Sequence, residues 1–328
     1  MAPQPERLKN LRASSESHIR NFWKSCFDKE PLPDVGGEEE LEEADELRAD
    51  CQERGDLLGE AGALMATARV YLKQKSFDKS VAAAREAQAL YMEAPDRLGQ
   101  ARAMEFVAEV WDSINSPEKA ATDAERARTQ YSRLGDKDGE ARMMFLTSQC
   151  RIKQIDRKVE TGGPKAGQDE ATRASKTLAE LVSFCRGLDD NPKALGSALT
   201  MLADVHVFKE RYGSALEAVD EAVPLLEEAE EPLQKANALL LSARVRLLTN
   251  DLQDSLTQTR EALTIFREQF DEQGEKDALE LLGQLREFDF RIDGQTPFGE
   301  EIEEKMLESW QAGVLVPVEK DKRKAVEA

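Results

Sequence analysis

The sequence predicts an all-α chain built as a solenoid of about six helical hairpins. Three observations predict it. First, the chain repeats itself every 40 residues: Asp-Arg-Leu-Gly-Gln-Ala-Arg-Ala at 96–103 returns as Asp-Lys-Asp-Gly-Glu-Ala-Arg-Met at 136–143, and Asp-Leu-Leu-Gly-Glu-Ala-Gly-Ala at 56–63 stands one period earlier. A fixed period of this size marks a stacked array whose units bury their apolar faces only against neighbours. Second, one spacing of small residues recurs four times, at Ala68, Ser80, Ala87; Ala108, Ala120, Ala127; Ala203, Ala215, Ala222; and Ala243, Ser255, Ala262. Short side chains at such places let two antiparallel helices approach closely. Third, the composition is 40% hydrophobic but only 6% aromatic, which suits helices packed through Ala and Leu.

The elements follow in order. Residues 1–37 form an N-terminal segment with one short helix at 14–27, carrying Phe22, Trp23 and Phe27. Helix 38–54 reads as the second helix of an earlier unit, with Leu47 in the place held elsewhere by Ala87 and helix 14–27 as its expected partner. Hairpins follow at 59–73 with 77–93 and at 97–114 with 117–133. Leu64, Met104, Leu199 and Leu239 sit four before the first small residue, and Tyr71 and Trp111 three after it, all on one helical face. Ser116 before Pro117, Asn191 before Pro192, and Asp251 are read as N-caps. The third hairpin pairs 138–155 with 169–186 across an insertion of 15 residues near 155–169. Gly162, Gly163, Pro164 and Gly167 in it predict a mobile loop. Hairpins 191–210 with 212–228 and 231–249 with 252–270 come next, and helix 273–288 closes a solenoid spanning 38–290. Residues 291–328 read as an acidic, partly disordered tail with one short helix at 300–312.

Bulk properties narrow the partners. Charged residues make up 34% and the net charge is −20. Such a surface repels phosphate backbones and anionic membranes, so nucleic acid is excluded as the expected partner. No stretch approaches the roughly 18 apolar residues of a spanning helix. Cys26, Cys51, Cys150 and Cys185 are scattered without a CxxC pair, as reduced thiols would be. With no secretory apolar core at the N-terminus, the expected compartment is the cytoplasm, organellar targeting being left open.

Signatures of chemistry were sought residue by residue. The two histidines, His18 and His206, are far apart, and His206 takes the slot of Tyr71 and Trp111, a packing position. No His/Cys cluster has metal spacing, and neither a Gly-x-Ser-x-Gly elbow nor a phosphate loop occurs. Carboxylate runs at 38–43, 227–231 and 300–304 read as solvated faces. The expectation is a non-enzyme with no catalytic residue, metal or cofactor.

The spacing resembles the tetratricopeptide repeat. With Ala68 at repeat position 8, Leu64, Tyr71, Ser80 and Ala87 fall on positions 4, 11, 20 and 27; Met104, Ala108, Trp111, Ala120 and Ala127 repeat the match. The 40-residue unit is similar to Leu-Gly-Asn repeat scaffolds and kinesin light chains, which share the Gly-Asp-x-x-Gly-x-Ala lead-in seen at 135–141. Thr67-Ala68-Arg69 and Val107-Ala108-Glu109 replace their Leu-Gly-Asn triplet.

The resemblance implies a right-handed superhelix whose first helices line a concave groove holding a protein or peptide segment. Carried across, its groove positions give Met65, Arg69, Leu72 and Lys73; Arg102, Glu105, Glu109 and Asp112; and Arg142, Phe145 and Gln149. Further along they give Thr200, Asp204, Val207 and Phe208, then Asn237, Leu240, Arg244, Leu247 and Leu248. Arg69, Arg102, Arg142 and Arg244 are expected to meet acidic groups of a partner, and Phe208, Leu247 and Leu248 its apolar ones. The absence of Asn at position 9 weighs against a chaperone-tail adaptor. The function implied is a non-catalytic scaffold or adaptor. Two alternatives stand beside it: a structural subunit of a large cytoskeletal or photosynthetic assembly, and an adaptor like the soluble SNARE-attachment proteins.

Overall fold

The computed structural model describes residues 38–188 and 191–287. The expected helices at 14–27 and 300–312 lie outside them, as do the terminal segments that hold them. Among the described residues there are α-helices and one 3-10 turn, with no strand. They run α1 (Glu38–Arg54), α2 (Leu57–Lys73), α3 (Phe77–Glu93), α4 (Arg97–Ser113), α5 (Pro117–Leu134) and α6 (Lys137–Gly162). After the 3-10 turn Pro164–Gly167 come α7 (Gln168–Arg186), α8 (Pro192–Phe208), α9 (Tyr212–Glu228), α10 (Pro232–Leu248), α11 (Leu252–Glu268) and α12 (Glu272–Glu287). Each helix packs on the next, the pattern of a repeat solenoid.

The junctions explain why the period is 40. One residue between helices is left-handed, with φ between 55° and 72°, at Gly55, Lys75, Asn115, Gly135, Glu210, Glu230, Asn250 and Phe270. The following amide then donates back to a carbonyl five residues earlier, as Asp136 N–H does to Tyr131 (3.0 Å) and Asp271 N–H to Phe266 (2.9 Å). The turn recurs every 20 residues on either side of the insertion; at the step between Lys75 and Asn115, Pro95 has a φ of only 22°, and Asp96 N–H still donates to Tyr91 O at 2.9 Å. In alternate turns an Asp caps the next helix: Asp56, Asp96, Asp136 and Asp271 accept from the amides of Gly59, Gly99, Gly139 and Gly274 at 2.9–3.1 Å. Those glycines have a second reason to be glycine. A Cβ added at Gly99 would stand 2.5 Å from Tyr91 Cδ1, at Gly139 2.4 Å from Tyr131 Cδ1, and at Gly274 2.3 Å from Phe266 Cδ1. At Gly99, Gly139 and Gly274 the Asp-x-x-Gly is thus a helix start seated under the last ring of the preceding helix; at Gly59 Cys51 Sγ, at 2.6 Å, takes the ring's place.

All twelve small residues of the recurring spacing are 0% exposed. Two of them are serines, and both donate across the hairpin to the first small residue's carbonyl: Ser80 Oγ to Ala68 O and Ser255 Oγ to Ala243 O, each 2.7 Å. A hydroxyl satisfied this way substitutes for Ala at little cost.

Two expectations are corrected, and two N-caps hold in position only. The segment 155–169 is not a mobile loop: α6 continues for two more turns, to Gly162. Ile155 is buried there, Val159 packs on the same cluster, and Arg157 reaches Glu118 Oε2 (2.9 Å). Only Gly163, at φ 77°, breaks the helix, and the 3-10 turn that follows is pinned, since a Cβ on Gly167 would meet Val159 Cγ2 at 2.8 Å and Phe208 Cζ at 2.9 Å. Leu47 is 49% exposed, and Ala44 and Cys51 are the buried residues of α1. Ser116 stands at an N-cap position without a side-chain cap bond. Asp251 does the same, its carboxylate pairing with Arg246 Nη1 (3.1 Å). Asn191 caps as expected, accepting from Ala194 N–H at 2.9 Å.

Candidate protein-binding groove

Helices α2, α4, α6, α8, α10 and α12 are the first helices of successive units. α8 and α10 approach each other directly, as do α10 and α12. Their shared face carries the predicted groove positions, and it divides into three stretches of different character.

At the N-terminal end, Arg69 on α2 and Arg102 on α4 are exposed. Neither forms an ion pair or hydrogen bond with another described residue. Both act on the Tyr91 phenol, drawing its pKa down, while burial first and Asp96 second hold it above the ordinary tyrosine value. Leu72 and Lys73 are half-buried beside them, and Lys73 Nζ lies 3.9 Å from Glu40 Oε2.

In the middle the charges are consumed internally. Glu105 on α4 receives Arg142 Nε (2.8 Å) and Nη2 (3.3 Å) from α6, and the Tyr131 hydroxyl as well. The Arg142 guanidinium lies 5.6 Å from the centre of the Tyr131 ring. Burial acts to lower the Arg142 pKa, but the hydrogen bond and charge of Glu105 prevail and raise it; Tyr131 is held up by burial and then by Glu105. Two turns on, Asp112 takes Lys153 Nζ, and Cys150 Sγ lies 3.8 Å from its Oδ1. Burial, reinforced by Asp112, keeps that thiol well above its ordinary range. Phe145 and Gln149 are buried.

Toward the C-terminus, Asp204 and Phe208 are buried on α8, and Thr200 is half-buried. Arg244 on α10 feels Asp277 and Glu280 on α12 and Asp204 on α8. Burial lowers its pKa, although these three carboxylates oppose the shift. Asn237 and Leu247 are half-buried and Leu248 is exposed. Met65, Val207 and Leu240 are buried, while Glu109 is half-buried.

The structure therefore leaves Arg69, Arg102 and Leu248 accessible, joins Arg142 to Glu105, and sets Arg244 among three acids. Tyr91 was missed in the sequence, although it precedes Asp96 by the same five residues that separate Tyr131 from Asp136. Among the described residues no group of three or more His, Cys, Asp or Glu could hold a metal ion, and no helix is long and apolar enough to cross a membrane.

No protein-family model matches the chain, and no curated protein does. Among solved structures it is similar to BtubC (BKLC) from P. vanneervenii, at 16% identity and TM-score 0.57, over 73% of this chain and 94% of that one. It is similar to the apo form of RapI at 14% identity and TM-score 0.60, over 77% and 84%. A signal transduction ATPase with numerous domains from Pyrococcus horikoshii, which has a tetratricopeptide repeat sensor, matches at 13% identity and TM-score 0.50, over 83% of this chain and 42% of that one. The fold is a tetratricopeptide-like repeat solenoid.

Proposed function

We propose that the chain is a non-catalytic protein-interaction scaffold whose groove holds an acidic, partly apolar segment of a partner at its N-terminal end. The observation that carries this reading is the pair Arg69 and Arg102. They stand on adjacent first helices, exposed and without a counter-ion among the described residues, in a chain of net charge −20. Elsewhere on the groove cations sit against carboxylates of neighbouring helices, as in Arg142 with Glu105 and Lys153 with Asp112. Two unneutralised guanidiniums beside a tyrosine edge can take a carboxylate through forked hydrogen bonds and an apolar group against the ring. Arg142, already joined to Glu105, positions Tyr131 rather than meeting the partner. Leu247 and Leu248 would extend the apolar contact for a longer segment.

The test is affinity capture from source cells with the wild-type chain and with Arg69→Glu/Arg102→Glu, at low and high salt. Loss of the bound proteins in the variant, with weakening by salt in the wild type, is the expected result. Retention of the same proteins by the variant would sink the reading.

A further inference from the structure

The second helices carry their own charge ladder, and one rung is stretched. Arg85 on α3 meets Asp123 on α5 at 3.1 Å, and Arg186 on α7 meets Glu221 on α9 at 2.7 Å. Between α5 and α7 the equivalent pair, Arg128 and Glu180, stands at 3.9 Å. This is the step that contains the 15-residue insertion. A cleft of about 630 Å³ lies between α5, α6 and α7.

The cleft is cationic in an acidic protein. Arg128, Arg133, Arg151, Arg173 and Lys176 line it with three glutamates; Arg151 is taken by Glu125 and Glu170 and Arg173 by Glu170, which leaves Arg128, Arg133 and Lys176 to give the cleft its charge. Arg133 and Lys176 are exposed and make no ion pair or hydrogen bond with any described residue. Arg128 reaches its two glutamates only at 3.7 and 3.9 Å, beyond hydrogen-bonding distance. A second observation is independent of charge. Thr147, 3% exposed, is among the residues that line the cleft, and its hydroxyl has no hydrogen-bond partner among the described residues; Arg151 Nε is likewise buried and unmatched, while Arg151 Nη2 meets Glu125 at 2.7 Å. The other two threonines of the cleft, Thr129 and Thr177, spend their protons on backbone carbonyls. A buried polar group left unmatched costs about 1–3 kcal/mol, which a ligand oxygen or a water reaching it would offset.

The geometry points to a binding site for a phosphate dianion, free or as the phosphomonoester of a small organic molecule. Its oxygens would lie among Arg128, Arg133 and Lys176, with the remainder reaching toward Thr147. Forked guanidinium donors and a flexible ammonium suit three equivalent phosphate oxygens. The volume lies within the range of about 300–1,000 Å³ usual for small-ligand sites. This site is on the second-helix side and does not depend on the groove proposed above.

The experiment is calorimetric titration of the full chain at constant ionic strength with inorganic phosphate, adenosine monophosphate and adenosine. Saturable binding of the two phosphates, with no detectable binding of adenosine, is expected. Tighter binding of adenosine monophosphate assigns the site to an organic phosphate, and equal affinity to the free ion. Arg133→Glu/Lys176→Glu removes side chains with no described partner, so the fold, checked by circular dichroism, stays intact while affinity falls at least about tenfold. Thr147→Val, close in shape, weakens binding severalfold. Absence of saturable phosphate binding, or a double variant that titrates like the wild type, overturns the assignment.

Discussion

At the residue scale, Gly135 and Gly139 lie in one junction and answer to different physics. Gly135 has open space where a Cβ would go, but its φ is 72°. Gly135→Ala therefore meets no neighbour and is expected to destabilise by about 1 kcal/mol, through left-handed strain alone. Gly139 is helical, and a Cβ there collides with the buried ring of Tyr131, which Glu105 also holds by its hydroxyl. Gly139→Ala is expected to destabilise by about 1–3 kcal/mol as an overpacking change. Equilibrium urea unfolding of both variants separates the two. The Asp-x-x-Gly repeat was plain in the sequence, but its cause was not, because the ring that excludes a side chain lies eight residues upstream on another helix. His206, in the slot of Tyr71 and Trp111, carries a pH signature. Burial, then Arg211 and Lys209, lower its pKa against the pull of Glu217, and its Nδ1 is buried without a partner. A folded-state pKa below the unfolded value means the unfolded chain binds the proton more readily. Stability is then full above the unfolded value of about 6.5 and declines as pH falls through it. His206→Tyr removes this group. The stability of the variant relative to wild type should rise between about pH 7.5 and about pH 5.5, read as a shift in urea midpoint; a constant difference would refute it.

At the element scale, helix α9 contains Pro224 in its interior, at an exposed position, so it lacks one main-chain hydrogen bond. Pro224→Ala is expected to stabilise by about 1–3 kcal/mol, measured by chemical denaturation. No change would mean that the missing hydrogen bond costs α9 nothing at this exposed position. The helices themselves were legible because small residues on a fixed spacing leave one face on which packing is dense. The end of α6 was not. Its last turns read as a loop through Gly162, Gly163, Pro164 and Gly167, yet only the left-handed Gly163 ends the helix. Gly167 is there for a close approach to Val159 and Phe208, not for freedom. Glycine content alone does not distinguish the two uses. Leu47 misled in another way: the register assigned it to a core position, but α1 buries Ala44 and Cys51 and leaves Leu47 exposed.

At the scale of the whole molecule, the solenoid is held by pairs that bridge one unit to the next, and these were invisible in the sequence because charge abundance hides which acid meets which base. Glu105 with Arg142 and Asp112 with Lys153 join α4 to α6; Arg85 with Asp123 joins α3 to α5. The candidate groove inherits this pattern, since it is accessible and basic only where the bridging stops, at Arg69 and Arg102. Such an array permits a test of modularity. Deleting residues 97–136 removes one full period and sets Asp96 directly before Lys137, so Asp96 replaces Asp136 as the cap of Gly139 and Tyr91 replaces Tyr131 over it. The seam is chemically the one it replaces, and the shortened chain should fold, with its helical circular dichroism reduced by the share of α4 and α5. Its stability should nevertheless fall, because Met65 and Leu72 come to stand where Glu105 and Asp112 stood, leaving Arg142 and Lys153 buried or half-buried without acids. An uncompensated buried cation of this kind costs about 3–5 kcal/mol. Adding Arg142→Met and Lys153→Leu to the deletion should recover part of that loss in urea unfolding. A deletion of the same length starting at 137 offers a contrast: it cuts α7 mid-helix, because the insertion has moved that unit out of step. Equal folding of the two deletions would show that the 40-residue register does not govern how the units stack.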